Sequence, residues 1–80
     1  MLIGKLKDVL GENELISDIA LAVDGYNYYG FVSTNGFWKI LRENSEKTEY
    51  RYSVGTKGYL TAWTGKAALS YARPDDISNQ

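Results

Sequence analysis

The chain has no cysteine and no histidine, and only one proline and one methionine, among its 80 residues. Without cysteine there is no disulfide framework and no thiol nucleophile. Without either residue a structural zinc site loses its usual ligands, and the commonest general base near neutral pH is missing. Long apolar runs are absent too. Nothing approaches the roughly 20 consecutive apolar residues that span a bilayer as a helix. Lys5, Lys7 and Asp8 interrupt the N-terminal apolar residues where a signal peptide would keep its core. The expectation is a chain made in a cytoplasm, with no membrane partner, no metal and no cofactor. A formal net charge of −1 supplies no global basic field, which disfavours nucleic acid as a partner.

Aromatic residues are plentiful: two Trp, seven Tyr and two Phe. Residues 35–71 hold Phe37, Trp38, Trp63, Tyr50, Tyr52, Tyr59 and Tyr71 between glycine-marked turns. A domain this small buries only about 60% of the surface its unfolded chain exposes, so its core is too thin to enclose every aromatic. Trp38, Ile40, Tyr52, Trp63 and Leu69 are the expected core. The surplus tyrosines Tyr26, Tyr28, Tyr29 and Tyr59 are the expected partner contacts, since tyrosine offers rigid contact area with a polar tip. Oligomerisation is the supplement left to a small domain without disulfides or zinc.

Charge is segregated along the chain. Asp8, Glu12, Glu14, Asp18 and Asp24 outnumber Lys5 and Lys7 in residues 1–24. Lys39, Arg42, Lys47, Arg51, Lys57, Lys66 and Arg73 outnumber Glu43, Glu46 and Glu49 in residues 25–73, and Asp75 and Asp76 follow. Either the acidic ends fold back on the basic middle, or they meet the middle of a neighbouring copy head to tail, the contact that builds rings and filaments.

Leu2, Ile3, Leu6, Val9 and Leu10 recur at helical spacing before Gly11, which predicts a short N-terminal helix weakened by Gly4. Residues 15–23 fit a helix or a strand, and a strand is favoured because Asp24-Gly25, a tight-hairpin dipeptide, follows at once. Residues 28–33 read as a strand running into Asn35-Gly36, the strongest short hairpin signal. Across residues 37–43, Trp38, Ile40 and Arg42 alternate with Phe37, Lys39, Leu41 and Glu43. In residues 48–54 the alternation suggests that Tyr50, Tyr52 and Val54 are buried while Glu49, Arg51 and Ser53 are wet. Residues 59–65 suggest one helical turn, and residues 67–71 a last strand. The fold expected is mainly β: one domain over residues 1–80, a small antiparallel barrel or sandwich of four to five strands with a short N-terminal helix. Residues 1–24 would form an adaptor segment, 25–73 the aromatic β core and 74–80 a polar tail.

Motifs for chemistry fail their tests. A phosphate-binding P-loop needs G-x-x-x-x-G-K-[ST]; Gly55-Thr56-Lys57-Gly58 is too short, and Thr64-Gly65-Lys66-Ala67 has alanine where the hydroxyl belongs. Glu43, Glu46 and Glu49 cluster as a glycosidase pair might, yet around a hairpin loop they are expected to be solvated and of ordinary acidity. Asp75-Asp76 lacks the spacing of a calcium loop. Aromatics interleaved with Lys and Arg, as in Tyr50-Arg51-Tyr52, suggest base-stacking sheets, but the alternation parts the aromatics from the cation. No catalytic, cofactor-binding or metal-binding residue is assigned.

Taken in order, Tyr28-Tyr29-Gly30, Trp38-Lys39-Ile40-Leu41-Arg42, Tyr50-Arg51-Tyr52-Ser53-Val54-Gly55 and the stretch from Trp63 through Leu69-Ser70-Tyr71 resemble a group of small, poorly characterised virion-associated proteins of tailed bacteriophages. The likeness covers residues 25–75 and departs at Gly65-Lys66, where Asn-Arg or Asp-Arg is expected. It implies a non-enzymatic structural protein of the virion, docked in multiple copies on a capsid, head-tail connector or tail and contacting itself or other virion proteins. The alternatives are a module on a fibre that binds glycan or host surface, and a small inhibitor of a host protein.

Overall fold

The computed structural model describes residues 15–34 and 36–77. The helix expected at residues 2–10 and the tail at 78–80 lie outside the described residues. Four strands, β1 (Leu15–Val23), β2 (Tyr26–Val32), β3 (Trp38–Asn44) and β4 (Tyr50–Gly55), form one antiparallel sheet in the order β1-β2-β3-β4. After them come a short helix α1 (Tyr59–Thr64), a 3-10 turn (Lys66–Ala68) and a final turn of helix α2 (Pro74–Ile77).

The turns follow local chemistry. Asp24 and Gly25 both take positive φ, 52° and 87°, as the tight two-residue connection between Val23 and Tyr26 requires. Just before it, Ala22 is held at φ 59° within a register shift, and its N–H donates to Asn27 Oδ1 at 2.9 Å. Gly36, at φ 93°, serves the β2–β3 connection, which is clasped by the Ser33 N–H donating to Phe37 O at 2.8 Å. In the β3–β4 loop the Asn44 side-chain oxygen accepts from the N–H groups of Thr48 and Glu49, at 2.8 and 2.9 Å.

The mainly β expectation holds, but β1 and β4 are opposite edges and do not meet, so the sheet is open and not a barrel. Nor is there a second sheet among the described residues. Where a fifth strand was expected, Ala68 and Leu69 donate back to Gly65 O and Lys66 O and complete the 3-10 turn; only Ala72 reaches β4, exchanging two backbone hydrogen bonds of 2.8 and 2.9 Å with Tyr52. β1 pairs with β2 and is part of the sheet.

The register sorts side chains onto two faces. Tyr26, Tyr28, Gly30 and Val32 of β2 oppose Asn44, Arg42, Ile40 and Trp38 of β3, and these in turn oppose Arg51, Ser53 and Gly55 of β4. Helix α1 and the chain after it cover this face. The core is Tyr28, Trp38, Ile40 and Ala62, with Ala20, Val23, Tyr26, Val32, Tyr59, Trp63, Leu69 and Tyr71 packed around it. Two glycines make the close approach possible. A Cβ on Gly30 would run into the Tyr59 and Trp63 side chains, and one on Gly55 into the Trp38 indole, whose Nε1–H donates to Lys57 O at 2.7 Å.

On the opposite face lie Ile16, Ile19, Tyr29, Phe31, Lys39, Leu41, Tyr52 and Val54. No element of the described residues packs over it. The expectation for β4 is therefore reversed: Tyr50 and Val54 are exposed and Tyr52 is half-buried on this face, while Arg51 and Ser53 turn towards the covered one. Alternation tells which residues share a face; where α1 lands decides which face is covered.

Candidate functional site

The covered face ends in a cluster of rings and cations. Tyr28, on β2, is 2% exposed, and its ring centroid lies 6.3 Å from that of Tyr26 and 6.2 Å from that of Tyr71. Between Tyr26 and Tyr71 sits the Arg42 guanidinium, its central carbon 4.6 and 4.5 Å from the two ring centroids. Strand alternation brings it there, since Arg42 follows Trp38 and Ile40 on the same face of β3. The negative ring faces attract the cation. Arg51 stands directly opposite in β4. Lys66, from the 3-10 turn, places Nζ 4.3 Å from the Trp63 ring and 5.8 Å from that of Tyr28, and donates to Trp63 O at 3.2 Å.

Burial raises the pKa of Tyr28, opposed by the nearby Arg42 charge. Tyr71 is pushed up to about 12 by burial first, with Tyr28 adding to the effect and Arg42 opposing it. Its hydroxyl donates to Lys66 O at 2.8 Å. Farther along the face, the Tyr59 hydroxyl donates to Asp18 Oδ2 at 2.8 Å, and burial together with that bond carries its pKa to about 12.

A second polar cluster lies on the other face. Glu43 is only 8% exposed, and its Oε1 accepts from Asn27 Nδ2 and from the Tyr29 hydroxyl, both at 3.0 Å. Hydrogen bonding from Asn27, then from Tyr29 and Tyr50, holds the carboxyl below its ordinary range against the opposing effect of burial. The expectation of a solvated Glu43 of ordinary acidity is thus corrected. A carboxylate tuned downward, with its lone pairs occupied, is suited to tying β2 to β3 and ill suited to giving up a proton as a catalytic acid. Glu46 and Glu49 are exposed and do not join it.

A shallow groove of about 420 Å³ runs along the adjoining ends of β1 and β2, lined by Leu15, Ile16, Ser17, Val32, Ser33 and Thr34. It has hydroxyls but no titratable side chain. Among the described residues no group of His, Cys, Asp or Glu stands close enough to hold a metal ion. No known protein family matches the chain, and neither does any curated protein or solved structure.

Of the residues expected at a contact surface, Tyr28 belongs to the core, with Tyr26 and Tyr59 packed around it on the covered face. Tyr29 is half-buried on the uncovered face with its hydroxyl engaged by Glu43. Of the residues expected in the core, Trp38 and Ile40 are buried, at 8% and 0% exposure, and Trp63 and Leu69 are partly buried against them. Tyr52 lies on the opposite face, because its register partner is Leu41 and not Ile40. Arg42 is signalled in the sequence by the Trp38, Ile40, Arg42 alternation; an arginine on an apolar stripe needs stacking partners, and Tyr26 and Tyr71 are those partners.

Proposed function

We propose that the chain is a non-enzymatic structural module, a virion-associated protein of a tailed bacteriophage that assembles in multiple copies. The observation that carries this reading is the edge strand β1. It exposes Leu15, Ile16, Ile19 and Leu21 at 65, 53, 55 and 61%, and its outer side pairs with no strand among the described residues. Such an edge is a template for another chain, and monomeric proteins blunt theirs. The occupant proposed is a second copy. Asp24 marks the turn after β1, while Arg51, Lys57 and Arg73 lie on and beyond β4 at the far edge, so successive copies would meet with opposite charge in a head-to-tail contact. The order of aromatic motifs supports the phage assignment. The polar clusters support a non-enzymatic one, since Glu43, Asp18 and the Tyr59 and Tyr71 hydroxyls are engaged with partners inside the fold.

Leu21→Asp tests the assembly. A charge at the exposed edge should leave the circular dichroism spectrum and melting unchanged and reduce the solution mass to that of one chain. A wild-type chain that is already a monomer at every concentration refutes it. The phage assignment is tested separately by counting the chain in purified particles: tens to hundreds of copies indicate a capsid and about a dozen a connector. A monomer that binds a glycan or one host protein instead replaces this reading with one of the alternatives.

A further inference from the structure

We propose that Arg42 and Arg51, with Lys66 beside them, form a binding site for an oxyanion, the carboxylate or phosphate group of a ligand. Arg42 is held as a receptor is held. Its guanidinium lies between the Tyr26 and Tyr71 rings at 4.6 and 4.5 Å, which fixes its plane without using its N–H donors. Nε is buried and has no hydrogen-bond partner. The Nη edge is therefore where the fork of donors can be satisfied, and that fork matches a carboxylate or phosphate in bidentate fashion.

The surrounding charge argues the same way. Arg42 and Arg51 are directly opposed across β3 and β4, an arrangement of like charges that destabilises a sheet unless an anion joins them. Arg51 donates from Nη1 to Tyr50 O at 3.0 Å and otherwise has the exposed Glu49 carboxylate 4.0 Å from Nη2, and Lys66 contributes a third cation next to Tyr28. Among the described residues neither Arg42 nor Lys66 has an ion-pair partner. Of the acids nearby, Asp18 accepts from Tyr59 and Ser17 and Glu43 belongs to the opposite face, while Asp24, in the β1–β2 turn, is near enough for its charge to act on Tyr28 but forms no ion pair with Arg42. An arginine needed only to fill space would face a like charge across the strands for no return; one that receives an anion at its Nη edge offsets that repulsion.

The test uses the full chain and two probes, inorganic phosphate in one arm and acetate in the other, at constant ionic strength in chloride. The arginine Nε–H signals are followed by nuclear magnetic resonance, with Trp63 fluorescence as a second readout. The expected result is saturable binding with a shift of the Arg42 signal, weakened roughly 10- to 100-fold in Arg42→Gln, the loss of a charge-assisted hydrogen bond. Tighter phosphate binding assigns a phosphate ligand, and tighter acetate binding a carboxylate one. Should Arg42→Gln fail to fold, Arg51→Gln on the edge strand carries the same expectation. The proposal is overturned if neither probe saturates, or if binding is unchanged in the folded variant. Because Arg51 also stands at the β4 edge that the proposed assembly would cover, the titration is repeated in the Leu21→Asp chain, where failure to bind overturns the oxyanion site whatever the state of assembly.

Discussion

Replacing Gly30 with alanine adds a single methyl group at the point where α1 meets the sheet. Gly30 lies in β2 with register partners Asp18 and Ile40, so its backbone conformation is open to alanine, and an alanine in a strand is ordinarily preferred to glycine by roughly 0.5–1 kcal/mol. The surroundings reverse that preference. The new Cβ would overlap the Tyr59 hydroxyl end and press on the Trp63 ring. Tyr59 is not a loose end that can swing aside, because its hydroxyl is bonded to Asp18 and its ring stacks on Trp63 with centroids 6.1 Å apart. Overpacking costs about 1–3 kcal/mol, and displacing a hydrogen bond to a carboxylate adds about 1.5–3 kcal/mol. A net loss of about 3 kcal/mol should lower the melting temperature of so small a domain by roughly 10–20 °C. Calorimetry or thermal circular dichroism reads this. The cause is isolated by repeating the change in a Tyr59→Ala background, where the space is already open and the added cost should fall below about 1 kcal/mol. A Gly30→Ala chain that melts within a degree or two of wild type would refute the packing of α1 described above.

Ile40, wholly buried on the covered face, should cost about 2–5 kcal/mol when truncated to alanine, measured by urea unfolding. Tyr59 and Tyr71 have folded pKa values raised from 10 to about 12, so the folded chain holds protons that the unfolded chain releases; their contribution to stability is complete below pH 10 and is lost as pH rises towards 12. Absorbance at the tyrosinate band should show them ionising together with unfolding. Glu43 has the opposite sign: its pKa is lowered, so its contribution is present above pH 4.5 and fades as pH falls below it, and Glu43→Gln should flatten that acid limb of the stability curve.

Much of the sheet was legible in the sequence because its signals are local. Asp24-Gly25 and Gly36 mark turns, and period-two alternation marks the strands between them. The choice of covered face was not legible in β4, since Tyr50, Tyr52 and Val54 form as good an apolar row as many buried ones. What decides is the approach of Tyr59 and Trp63 over Gly30 and of Trp38 over Gly55, contacts between residues far apart in the chain. The fifth strand was lost for a related reason: residues 66–69 satisfy their backbone groups locally, and only Ala72 returns to the sheet edge. The candidate site was partly legible. Arg42 shares a stripe with Trp38 and Ile40, but its clamp needs Tyr26 from β2 and Tyr71 from beyond the 3-10 turn, and the orphaned Nε is visible only once those rings are placed. Glu43 looked like a loop acid because its partners Asn27 and Tyr29 lie one strand away.

The central claim is that this chain acts by assembling with copies of itself through the β1 edge. Sedimentation equilibrium of the full chain across a wide concentration range tests it most directly. The account predicts a mass of several chains that falls to one in Leu21→Asp while the fold is retained; a wild-type mass of one chain throughout would contradict it.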